Sequence, residues 1–105
     1  MKNVSKANFK ELNISINKLK AMSDQNRIRI LYLLSCEKIC VCDIAKSLNL
    51  AQNLVSFHLN VLFESGLLDK KREGNCLFYF IKKEYKKSLN YFFKFLNSIR
   101  LRGNP

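Results

Sequence analysis

The stretch CVCDIAKSLNLAQNLVSFHLNVLFESGLL, Cys40 to Leu68, constrains this chain more than any other. Its apolar residues follow a helical period twice, with a break between. Ile44, Ala45 and Leu48 share one face of a first short helix, about Val41 to Leu48. Val55, Leu59, Leu62 and Phe63 share one face of a second, about Gln52 to Ser65. Asn49 falls at the break, where the chain must turn sharply, and Asn tolerates the left-handed conformation better than most residues. Two helices joined in this way predict a helix-turn-helix over residues 41–65. The second helix leaves Gln52, Asn53, Ser56, Phe57 and Asn60 pointing outward. His58 sits on the edge of its inward face, as a packing or hydrogen-bonding residue.

The flanks extend this unit. Gly66 can end the second helix in a left-handed conformation. Beyond it, LLDKKRE and CLFYFIK flank Gly74-Asn75, and a Gly-X pair between two such runs predicts a β-hairpin with a type II′ turn, spanning residues 67–82. Leu77, Tyr79 and Ile81 alternate with Phe78, Phe80 and Lys82, as a strand with one face on the core requires. Lys70, Lys71 and Arg72 lie near the hairpin tip. Upstream, Phe9, Leu12, Ile16 and Leu19 predict an amphipathic helix from about Ser5 to Met22. Asp24 then caps a second helix, Gln25 to about Ser35, whose Ile28, Ile30, Leu31, Leu33 and Leu34 cover more than one face and belong in the centre of the core. Cys36 to Ile39 is a connector.

The last segment, residues 83–101, repeats Tyr85, Leu89, Phe92, Leu96 and Ile99 as a helix-packing seam, widened by Phe93 and Phe95. That aromatic density exceeds what one small domain can bury. The helices within 1–22 and 83–101 are therefore expected to pack against their copies in a homodimer. Residues 102–105 are expected to fray. A chain of 105 residues is too short for two cores, so 1–105 reads as a single domain. The fold class is mostly α with a β-hairpin wing: a winged helix-turn-helix.

Charge and cysteines narrow the function. Nineteen Lys and Arg against eight Asp and Glu give a formal charge of +11, which attracts a polyanion, with nucleic acid the first candidate. No apolar run resembles a signal peptide or approaches the roughly 18 residues of a membrane span, so the expectation is a cytoplasmic protein with no membrane partner. In that compartment Cys36, Cys40, Cys42 and Cys76 are reduced thiols, suited to metal binding or redox chemistry rather than a disulfide scaffold. One His, no Trp, and no phosphate loop or Ser/His/Asp set leave little equipment for an enzyme. Cys40 and Cys42 can grip one soft ion if the backbone between them is not yet regular helix. A helix N-terminus is also expected to lower a thiol's pKa.

The ordered strings DQNRIRIL (Asp24 to Leu31), ICVCDIAKSLNL (Ile39 to Leu50), Gln52 with VSFHLNVL (Val55 to Leu62) and SGLLDKKREGNCLFYFI (Ser65 to Ile81) cover more than half the chain and resemble the ArsR/SmtB metal-responsive repressors. The resemblance implies a dimer that sits on double-stranded operator DNA, an inverted repeat, and leaves it when a metal or metalloid binds. It places groove contacts on Gln52, Asn53, Ser56 and Phe57, with Asn60 beside them, and phosphate or minor-groove contacts on Lys70, Lys71 and Arg72. It makes Cys40 and Cys42 ligands for arsenite or antimonite, As(III) or Sb(III), or for Cd(II) or Pb(II), with no organic cofactor. Three residues depart from the family pattern: Ala51 replaces a capping Ser, and Asn53 and Phe57 replace small hydroxyl and His residues. The family's third sulfur is also missing, since Ala45 stands three residues after the box, and Cys36 is the nearest substitute. Cys76 reads as structural or incidental. The last helix lacks the His and Asp of the family's other metal site. Two other readings stay open: a thiol redox or persulfide switch on the same repressor, and a winged-helix protein-interaction module.

Overall fold

A computed structural model of the chain describes residues 8–103; residues 1–7 and 104–105, where the expected N-terminal helix begins and the frayed end finishes, lie outside the described residues. The elements run α1 (Phe9–Met22), α2 (Gln25–Leu34), β1 (Ile39–Cys40), α3 (Val41–Leu48), α4 (Gln52–Glu64), β2 (Leu68–Glu73), β3 (Cys76–Ile81) and α5 (Lys83–Gly103). This is a winged helix-turn-helix, mostly helical with an antiparallel hairpin.

Local chemistry sets the boundaries. The Asn8 side chain accepts from the Glu11 amide at 3.2 Å and starts α1. Asp24 Oδ1 accepts from the amides of Asn26 at 2.8 Å and Arg27 at 3.1 Å, satisfying two of the free N–H groups at the start of α2. The Arg27 amide in particular holds the Asp24 carboxyl below its ordinary pKa. Asn49 takes the left-handed conformation, φ 55° and ψ 49°, at the turn between α3 and α4. Gly66, at φ +90°, makes the turn after α4.

Helix α2 runs through the centre, with Ile30 and Leu31 fully buried against Ile44, Val55, Leu59, Leu62, Leu68 and Ile81 from the surrounding elements. The hairpin pairs Leu68 with Ile81 through to Glu73 with Cys76. Gly74 is at φ +63° and Asn75 is not among the positive-φ residues, the pattern of a type II′ turn.

Two expectations are corrected here. The connector is not wholly irregular: Ile39 and Cys40 pair antiparallel with Tyr79 and Phe78, completing a three-stranded sheet in the order β1-β3-β2. Two residues show no periodicity to read, yet they give the exposed edge of β3 hydrogen-bond partners. Leu89 and Phe93 also do not extend an outward seam. Both are buried in their own domain, the Phe93 ring edge-on to Tyr32 at a centroid distance of 5.3 Å. Tyr91, Phe95 and Ile99 of α5 remain exposed, as do Phe9, Leu12 and Leu19 of α1.

Candidate nucleic-acid interface and thiol site

Helix α4 is buried through Val55, His58, Leu59 and Leu62, and this fixes which residues face out. Gln52, Asn53, Ser56, Phe57 and Asn60 are all exposed, forming one surface, and Phe57 leaves 58% of its area to solvent. Ala51 supplies no side-chain cap. In its place Asn53 folds its own Oδ1 onto the Leu54 amide at 3.0 Å, occupying a helix-end donor. The face is held in place from beneath by His58, only 5% exposed, whose Nδ1 lies 3.0 Å from a guanidinium nitrogen of Arg27. A guanidinium only donates, so Nδ1 accepts and the neutral ring carries its proton on Nε2. Arg27 also donates from Nε to the Ala21 carbonyl, which ties α1, α2 and α4 together. Helical periodicity puts His58 inward but carries no sign of this partner 31 positions away.

Lys70, Lys71 and Arg72 lie on exposed β2 of the wing. Lys70 packs its ammonium over the Phe63 ring at 4.3 Å, and Lys71 lies 3.8 Å from Glu73, which is paired more closely, at 2.6 Å, with Lys38.

The sulfurs of Cys40 and Cys42 stand 3.1 Å apart, and Cys40 Sγ lies 3.1 Å from Asp43 Oδ2. The backbone permits this because Cys40 is still extended, φ −80° and ψ 159°, and α3 begins only at Val41. Cys40 is buried and Cys42 exposed. The helix N-terminus does not leave the Cys40 thiol acidic, contrary to expectation. Its hydrogen bond with Cys42, and then that with Asp43, retain the proton and push the pKa up to about 11. The two sulfurs and the carboxylate oxygen lie within 4.8 Å of one another. Two soft donors and one hard one suit a thiophilic ion and not magnesium or calcium. Sequence reasoning misses Asp43 as a member of this set, although its i, i+3 spacing from Cys40 is the separation that brings side chains together on one helical turn.

The structure does not bring Cys36 to this pair. It lies at the C-terminal end of α2, exposed, with its sulfur 3.9 Å from the Tyr32 carbonyl oxygen, and lines a separate hollow with Lys71, Phe80 and Lys86. Cys76 does line the cleft of Cys40 and Cys42, a space of about 290 Å³ that Gln52, Ser56 and Arg72 also border.

The profile of the bacterial regulatory protein, arsR family, matches residues 24–70. The cadmium resistance transcriptional regulatory protein CadC of Listeria innocua is 39% identical over 72% of this chain and 64% of its own length, so the chain spans under two thirds of that relative. The arsenical resistance operon repressor of Staphylococcus xylosus is 33% identical over 69% of each chain. Among solved structures, a homodimeric winged helix-turn-helix DNA-binding domain from Mycobacterium bovis, described as a possible ArsR-family transcriptional regulator, superposes with a TM-score of 0.76 at 27% identity, covering 86% of this chain and 83% of that one. HlyU from Vibrio cholerae also gives 0.76 at 28% identity, covering 82% and 95%.

Proposed function

Because the chain belongs to the arsR family of bacterial regulatory proteins, we propose that it is a transcriptional repressor that holds operator DNA through α4 and the wing and releases it when a thiophilic metal or metalloid binds Cys40 and Cys42. The observation that carries this reading is the pair of sulfurs 3.1 Å apart at the first turn of α3, the helix packed against α4. The names of the cadmium and arsenical relatives support it.

On the DNA side, Gln52 and Asn53 have the amide geometry that pairs with the adenine Hoogsteen edge, and the Phe57 ring can lie on a thymine methyl. Ser56 and Asn60 continue the same surface. Lys70, Lys71 and Arg72 take phosphates beside it. A second copy covers the exposed apolar residues of α1 and α5, overcoming the mutual repulsion of two strongly basic chains. The two recognition helices then enter successive major grooves of an inverted repeat, about 10 base pairs apart.

On the sensing side, a bound soft ion supplies a bond between sulfurs that hydrogen bonding cannot provide. Asp43 Oδ2 accepts from the Cys40 thiol at 3.1 Å, and that proton leaves to solvent when the sulfur takes an ion. Changing the sulfur spacing moves the first turn of α3, and α4 is packed on that helix. A coupling of about 1.4 kcal/mol suffices for a tenfold loss of DNA affinity.

The test begins by selecting a binding site from a random double-stranded DNA pool. Affinity for that site is then measured by fluorescence anisotropy with and without arsenite, antimonite, cadmium or lead. At least one ion is expected to weaken binding tenfold or more, and Cys40→Ser and Cys42→Ser to abolish the response. Equal affinities under all four ions would remove the sensor, and a pool with no enriched sequence would remove the repressor.

A further inference from the structure

We propose that Cys76, on the wing, is the third sulfur of the thiol site, so that Cys40, Cys42 and Cys76 together hold one trivalent arsenic between α3 and the hairpin. This rests on the reading of the chain as a thiol-based sensor and says which residues complete it.

The sheet register brings the three residues together. Ile39 faces Tyr79 and Cys40 faces Phe78. Continuing that antiparallel register past the end of β1 sets position 42 against position 76. The chain has by then turned into α3, but Cys42 and Cys76 still line the same cleft, with Cys40 at its buried end. Cys76 is also the diagonal neighbour of Cys40 across the strand pair, and such neighbours stand about 7–8 Å apart.

That separation is within reach. Two sulfurs on one tetrahedral zinc, each at about 2.3 Å, are about 3.8 Å apart, which serves as a scale for a soft-ion bridge. A disulfide, with its sulfurs about 2.05 Å apart, tolerates Cα separations up to about 6.8 Å. An ion bridge adds about 1.7 Å to that limit, giving about 8.5 Å, enough for a diagonal pair. The Cys40 and Cys42 sulfurs, at 3.1 Å, need open by less than 1 Å. The Cys76 sulfur is outside the set of ligand atoms that already lie within 4.8 Å, and its exposed side chain must move toward them when the ion binds. Cys36 has no such route, because it faces a different hollow.

Binding is an exchange with no redox change. Three As–O bonds of arsenous acid break, three As–S bonds form, and each thiol proton leaves with a hydroxide as water. The consequence differs from closure by the pair alone. Gln52, Ser56 and Arg72 border the same cleft, so a bond to Cys76 clamps the wing tip to the head of α3 directly beneath the proposed DNA-reading surface.

The experiment titrates the full reduced chain, Cys36→Ser and Cys76→Ser with sodium arsenite without oxygen. It counts the thiols still reactive toward a chromogenic disulfide and reads affinity from the ultraviolet As–S band. At saturating arsenite the wild type is expected to keep one reactive thiol, that of Cys36, and Cys36→Ser none, at unchanged affinity. Cys76→Ser should keep one reactive thiol and lose affinity at least tenfold. Full affinity in Cys76→Ser, or a tenfold loss in Cys36→Ser, overturns the assignment. Two thiols left reactive in the saturated wild type overturn the third sulfur and leave the sensor reading standing. No protection in any chain removes both.

Discussion

Replacing Ala51 with Ser tests whether the bare start of the recognition helix is a real weakness in this fold. Ala51 already has the extended backbone of an N-cap, φ −63° and ψ 141°, is exposed, and offers no side-chain acceptor. Restoring a hydroxyl at such a position is worth about 0.5–2 kcal/mol. Here the lower half applies, because the Leu54 amide is not empty: Asn53 Oδ1 reaches it at 3.0 Å and the Ala51 carbonyl at 3.1 Å. The hydroxyl therefore displaces a substitute cap, and about 0.5–1 kcal/mol is the expected gain. With an unfolding entropy of about 0.2 kcal/mol/K for a chain near 100 residues, the melting temperature rises by about 2–5 °C. Calorimetry at matched protein concentration reads this, the matching being needed because a dimer's melting point depends on concentration. Ala51→Asp should stabilise at least as much, through the helix dipole, but weaken DNA binding by bringing a carboxylate toward phosphates. If neither variant raises the melting temperature, the α4 amides are already satisfied and the missing cap costs this fold nothing.

Asp24→Ala should cost about 1 kcal/mol in urea unfolding at pH 7. Because the folded carboxyl titrates below its ordinary value of 3.8, the unfolded chain binds more protons through that window. The stabilisation is thus full above the unfolded pKa and fades as pH falls through the folded one, so wild type and variant should stay apart at pH 7 and draw together as the pH falls below the ordinary carboxylate value. Constant separation across that range would refute the capping role. Changing Lys70, Lys71 and Arg72 together to Ala should flatten the log-log salt dependence of DNA binding by about 0.9 for each phosphate no longer neutralised, and an unchanged slope would take the wing off the DNA. Arg27→Met leaves His58 Nδ1 and the Ala21 carbonyl without their donor. It should destabilise by about 1–3 kcal/mol, measured by urea unfolding; a loss under about 0.5 kcal/mol, the floor for a typical hydrogen bond, would mean water replaces the guanidinium.

What the sequence determined on its own is whatever periodicity and turn chemistry encode. The two-helix unit with its αL Asn49, the Asp24 cap, the Gly74 hairpin turn and the outward row on α4 were legible because each depends on residues a few positions apart. The nearness of Cys40 and Cys42 was legible for the same reason. Tertiary structure decided everything that joins distant segments. Strand β1 exists only because β3 offers it an edge, and Phe93 turns inward to join the core, its ring edge-on to Tyr32. His58 has its partner on α2, 31 positions away. The two remaining cysteines show this most directly. By sequence Cys36 is four positions from Cys40 and Cys76 thirty-six, but the antiparallel register of β1 and β3 carries Cys76 into the cleft while the end of α2 leaves Cys36 facing away.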